Sequence, residues 1–251
     1  MVPIAMHKGG KNMSEDLVDI WVYLSTTPLL GLTMTLVAYQ GGMWIYQRAN
    51  MNPLLNPVLI AVLVLVGLLM ITGTDYQTYF EGAQFVHFML GPATVALAVP
   101  LYQQFQKVRK SFAVILVAIF AGSVTAVLSA VAIAWALGAS ESTLISLAPK
   151  SVTAPIAMGI AQAAGGVASL TAVLVILTGI LGAVLGPWVL NTLRIKDWRA
   201  RGLAMGTASH GIGTARAFQV NAVAGAFASL AMGLNGLATA VLLPMLLALL
   251  R

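Results

Sequence analysis

Cysteine is missing altogether from this 251-residue chain, which removes disulfides, thiolate metal sites and thiol nucleophiles from its chemistry. Charge is almost as scarce: Asp, Glu, Lys and Arg make up 8% of residues, against 59% hydrophobic ones and a mean hydropathy of +0.92. A soluble domain carries about 25% charged residues, so this chain cannot cover a water-exposed globule and is not read as a soluble enzyme. Disorder, which needs low hydrophobicity, is excluded by the same figures. Acids are the scarcest group, seven against 13 Lys and Arg. The resulting charge of +6 would suit a nucleic-acid binder, but the cations fall in short clusters between apolar runs, as in a multi-span membrane protein oriented by its basic loops. The expected partner is therefore the lipid bilayer and not nucleic acid.

A bilayer core of about 30 Å takes about 20 helical residues. Full spans are expected at about 26–46, 53–73, 111–137, 167–193 and 222–250, behind an N-terminal tail over 1–24. The tail carries Lys8 and Lys11 without an adjoining apolar core, so it does not read as a cleavable signal peptide. Between the spans lie three segments of another kind: 85–104 (FVHFMLGPATVALAVPLYQQ), 147–166 (LAPKSVTAPIAMGIAQAAGG) and 202–219 (GLAMGTASHGIGTARAFQ). Each is apolar enough to enter a membrane, yet Gly, Pro, Ser and Thr interrupt it. Irregular backbone at membrane depth is tolerated only inside protein or along a water-filled cavity, and interrupted segments are the usual pointer to a transporter's binding site. The fold class is thus all-α and polytopic, with about five full spans and three broken or re-entrant segments.

Shifting the chain by 59 places lays Thr94 on Thr153, Gln103 on Gln162 and Ala113 on Ala172, which would make one broken segment plus one long helix a repeating unit. Charge placement bears on its orientation. Lys107, Arg109 and Lys110 precede the span at 111–137, and Arg194, Lys196, Arg199 and Arg201 follow the one at 167–193. Basic clusters stay in the cytoplasm, so the two spans run in opposite directions, the loop near Ser140 faces outward, and 147–166 enters and leaves on that outer side. The repeat copies would then be inverted, the symmetry that underlies alternating access in many carriers.

The seven acids, Glu15, Asp16, Asp19, Asp75, Glu81, Glu141 and Asp197, are all expected in loops or the tail, leaving no carboxylate for a cation pathway or a metal site. The interrupted segments hold instead Lys150, His210 and Arg216, with Thr94, Ser151, Thr153, Thr207, Ser209 and Thr214. An arginine at membrane depth costs about 2.5–3.5 kcal/mol and is offset by an anion, which its planar fork can bind bidentately; alternatively Arg216 bonds helix-end carbonyls or snorkels to the cytoplasmic surface. His210 either orients a substrate or takes up a proton near neutral pH, or it is a structural residue bonded to a carbonyl. Lys150 is either a second cation for the anion or, lying near a segment end, a surface residue, the position favoured here, and His87 reads as a packing residue. Gly211, Gly213 and Arg216 lack the strand and third glycine of a dinucleotide fingerprint. No cofactor, metal or catalytic residue is expected, and the chain is not read as an enzyme.

The stretches LGPATVALAVPLYQQ (90–104), APKSVTAPIAMGIA (148–161) and GTASHGIGTARAF (206–218) closely resemble the signature segments of the LrgB/CidB family of bacterial membrane proteins, and the likeness runs over nearly all of an LrgB-like transmembrane domain at 25–251. The resemblance implies two roles. LrgB-like proteins were described as antiholin-like or holin-like regulators of murein hydrolase activity and lysis, beside a smaller LrgA/CidA partner. The plant relative, a fusion of both parts, is a plastidial glycolate/glycerate transporter, and bacterial relatives are linked to pyruvate uptake. The residues favour the second: a carrier of a small monocarboxylate in the bacterial inner membrane, with Arg216, His210, Ser209, Thr214, Thr207, Thr94, Ser151 and Thr153 as substrate-binding residues and a homodimer as the expected assembly.

Overall fold

The computed structural model describes residues 28–249; the tail expected at 1–24 lies outside the described residues. Those residues form helices and turns without a strand and fall into two compact units, divided in sequence between Gly91 and Pro92.

In the first unit, α1 (Pro28–Arg48) is followed by a short 3-10 turn (Pro53–Leu55), α2 (Pro57–Thr72) and α3 (Tyr76–Phe88). Asn56 starts α2 by accepting hydrogen bonds from the Val58 and Leu59 amides, with Pro57 in the first turn, and Gly73 ends it in the left-handed conformation. Ala38, Ala61 and Leu65 pack α1 against α2, while the Thr35 and Tyr79 hydroxyls lie 2.7 Å apart between α1 and α3. Three expectations need correction. Helix α1, expected as the span 26–46, is not among the described runs apolar enough to cross a membrane, because polar and glycine residues dilute its 21 residues. The span at 53–73 is a 16-residue helix, about 24 Å long. Glu81, expected in a loop, sits within α3 because helix begins at Tyr76, earlier than the apolar run implied.

The division falls within α4 (Leu90–Ala96), which is followed by α5 (Ala98–Gln103) and α6 (Phe105–Lys110), short helices that break the expected segment 85–104 into pieces. Then come α7 (Phe112–Ala136), α8 (Glu141–Leu147), α9 (Ala154–Ala164), α10 (Ala168–Thr192), α11 (Trp198–Val220) and α12 (Ala222–Leu249). Four runs among the described residues are long and apolar enough to cross a membrane: Tyr76–Pro100, α7, α10 and most of α12. The protein is an all-α polytopic membrane protein.

Helices α8 and α9 make a hairpin. At seven and 11 residues they reach only about 10 and 16 Å, so neither crosses the bilayer. Gly165, at φ 92°, closes α9. The Ser146 hydroxyl then accepts from the Val167 amide at 2.8 Å while its carbonyl accepts from Thr171 at 3.0 Å, which seats the hairpin on the first turns of α10.

Helix α11 is also a hairpin, broken at Ser209 and at His210, whose φ of 41° and ψ of −131° are not helical. The chain reverses there. A Cβ built on Gly213 would meet the Met205 carbonyl at 2.5 Å, although eight residues of straight helix would separate these positions by about 12 Å. Likewise Ala217 packs with Met205 and Leu190, and Val220 lines one recess with Trp198. The unit expected from the sequence, a broken segment plus a long helix, occurs at 141–192 and again at 198–249, and the short helices α4–α6 lead into α7 in the same order.

Candidate functional site

Helix α10 shows how the two hairpins face each other. Its Thr171 holds Ser146, and one turn further Val175 packs against Val152 and Ala157 of the first hairpin. The Val175 carbonyl also takes a hydrogen bond of 2.9 Å from Nε2 of His210, at the tip of the second. Beyond it, side chains at Gly179, Gly182 and Gly186 would collide with His210, Ser209 and Met205 in that order. The hairpins thus enter from opposite ends of α10 and meet tip to tip beside Val175.

Helix α12 repeats the order from the other side. Ala224 and Ala228 touch Gly202 and Gly206 on the outgoing limb of α11, and Leu243 packs on Ala148 and Ile160 of the first hairpin. Between them stands Asn235, 1% exposed, whose Nδ2 donates to the Ser151 carbonyl at 3.1 Å and the Thr207 carbonyl at 3.2 Å. One carboxamide bridges both tips. Turning it over would set its oxygen against two carbonyl oxygens, so the donors fix its orientation. Its Oδ1 is buried and has no hydrogen-bond partner among the described residues.

Most of the residues expected to bind substrate gather at these tips or in the limbs behind them. Ser151, Thr207, Ser209, His210 and Thr214 are all buried, and Thr153 is the N-cap of α9. The Thr214 hydroxyl donates to the His210 carbonyl at 2.8 Å, securing the first turn after the break. Because a carbonyl only accepts, Nε2 of His210 carries a proton and Nδ1 is the acceptor of the neutral ring. Thr94 lies on α4, and its side chain is outside the described residues.

Arg216 stands apart. Six residues down the returning limb of α11, it lines a recess with Trp198, Arg201, Met205, Pro187 and Ala217, at the end of α10 that carries the basic loop. Arg201 there donates to the Ile195 carbonyl at 2.9 Å and lies over the Trp198 ring. The loop's acid is already engaged: Asp197 caps α11 and pairs with Arg199 at 2.6 Å, and that hydrogen-bonded guanidinium holds its carboxyl below the usual range.

Asn235 escapes the sequence reading, which weighs Lys150 as a second cation but favours the surface for it. Asn235 was legible as a lone amide within an apolar stretch of 28 helical residues. Lys150, read as a surface residue, is half-buried in the turn between α8 and α9, with Nζ 3.4 Å from the Ser151 hydroxyl. No group of His, Asp and Glu among the described residues could hold a metal ion.

The LrgB-like family model matches residues 35–249. Among similar proteins, an uncharacterized Bacillus subtilis protein, YwbG, is 39% identical over 87% of this chain and 97% of its own length. The holin-like protein CidB of Staphylococcus epidermidis is 34% identical over 87% of this chain and 95% of its own. The antiholin-like protein LrgB of Bacillus cereus is 33% identical over the same shares. No solved structure matches significantly. With two of its three signature segments forming the hairpins and the family model matching residues 35–249, the chain belongs to the LrgB-like family.

Proposed function

We propose that the protein carries a small monocarboxylate across the bacterial inner membrane by alternating access. The observation behind this reading is the pair of hairpins meeting tip to tip inside the bundle, where Ser151, Thr207, Ser209 and His210 are buried. Half-helices that end at membrane depth present unpaired backbone amides and a partial positive charge to an anion. Releasing one tip opens the centre to one side, and releasing the other opens it to the opposite side. Ser151, Thr153, Thr207, Ser209 and Thr214 would supply hydrogen bonds, with Thr94 completing the set, while Arg216 receives the carboxylate at the cytoplasmic mouth. A second chain would complete a dimer.

The names of the relatives support a second reading more directly than they support transport: a holin-like or antiholin-like regulator of murein hydrolase activity and lysis, working with an LrgA/CidA-like partner. The two readings separate in liposomes holding the purified protein. The carrier takes up radiolabelled pyruvate, glycolate or glycerate saturably and retains an entrapped dye; a lysis pore releases the dye and saturates with none of them. In the carrier, Arg216→Gln is expected to raise the half-saturation concentration about threefold to fivefold, the loss of one partly screened charge contact of about 0.6–1 kcal/mol, with the maximal rate spared. An equal fall in maximal rate would move Arg216 from the mouth to the centre.

A further inference from the structure

Resting on the carrier reading, we infer that the anion's charge is met at the tip junction by Lys150 together with the first turn of α9, and that Asn235 accepts a hydrogen bond from a hydroxyl or water that the anion brings with it. Three observations converge. Lys150 occupies the turn that leads into α9, half-buried, with its Nζ 3.4 Å from the Ser151 hydroxyl. Thr153 caps α9 without a side-chain hydrogen bond, so the Ala154 and Ile156 amides, which have no intrahelical partner, are offered at the same turn; Pro155 between them has no N–H. The third observation is the buried, unpartnered Oδ1 of Asn235, whose amide nitrogen already grips the Ser151 carbonyl.

A cation would not suit this place. Lys150 and the helix N-terminus repel it, and the acids of the two hairpin segments, Glu141 and Asp197, are exposed at the hairpin bases. A small monoanion satisfies the ammonium and the amides at once, and Asn235 Oδ1 then needs a donor from the occupant's other side. Lys150 serves as the charged anchor and Asn235 as the residue that senses the occupant and holds both tips over it.

The test uses the full chain in lipid nanodiscs. Lys150 acetylation by an N-hydroxysuccinimide ester is followed by mass spectrometry with increasing pyruvate, glycolate or chloride, and uptake is measured in liposomes for Lys150→Gln, Lys150→Arg and Asn235→Asp. The expected result is saturable protection of Lys150 by the transported acid and not by equimolar chloride. Uptake should fall at least tenfold in Lys150→Gln and stay within about threefold of wild type in Lys150→Arg, and Asn235→Asp, which sets a negative charge on the occupant, should abolish it. Wild-type uptake in Lys150→Gln, or a Lys150 that no acid protects while uptake proceeds, overturns the inference and leaves the carrier reading standing. Dye release without saturable uptake overturns both.

Discussion

Gly206→Val is expected to prevent the second hairpin from seating and to leave little monodisperse protein after extraction. Gly206 is buried where the outgoing limb of α11 lies directly on α12, and even a methyl group there would overlap the Ala228 carbonyl. The obstacle is backbone, which cannot rotate away as a side chain can, and Gly202 makes the same contact with Ala224 one turn earlier. Small residues allow such close approach in membranes, where van der Waals packing replaces the hydrophobic driving force. Gly206→Ala alone should cost about 1–3 kcal/mol, seen as a clear fall in melting temperature. Gly233, on the same α12 helix, has open space where its Cβ would be, so Gly233→Ala should be neutral or stabilising. Size-exclusion profiles before and after a heat step compare the three, and equal melting of Gly206→Ala and Gly233→Ala would remove the close seam from the account.

The second large effect is expected at His210. Its backbone is held at φ 41°, a region that costs a non-glycine residue about 1–3 kcal/mol and persists only where surroundings enforce it. The ring does the enforcing through Nε2 on the Val175 carbonyl. His210→Ala loses that buried hydrogen bond, about 1–3 kcal/mol, keeps the strain, and should abolish uptake. Glutamine can set an amide donor near the place of Nε2 but cannot gain a proton in the physiological range. His210→Gln is therefore expected to retain the fold and uptake with an unchanged pH profile between pH 5.5 and 7.5. A flattened profile in His210→Gln would show that His210 carries a coupled proton as well as locking the tip.

The spans at 111–137 and 167–193 were legible because composition and length decide them, and α7 and α10 fall within a residue of those bounds. The first hairpin was legible too, since basic clusters on either side of 147–166 leave no room for a full crossing. The second was seen only as an interrupted segment. Ser209 and His210 carry no signal for reversal, because the unusual backbone at His210 is imposed by a contact with Val175 that lies 35 residues away. Glycines at 179, 182 and 186 read as ordinary small residues of a membrane helix until the facing tip shows what each makes room for. The same limit placed Arg216 at the centre and Lys150 at the surface: helical pitch gives a residue's height within its own limb, but not the direction in which the limb runs.

The opposed hairpins can be probed directly because the chain has no cysteine of its own. Single cysteines at Ser140, at the base of the first hairpin, and at Lys196, at the base of the second, can be probed in intact cells and in inverted vesicles with a membrane-impermeant maleimide. Opposed hairpins require that Ser140→Cys label only from outside and Lys196→Cys only from the cytoplasmic side. Labelling of both from one side would contradict that arrangement.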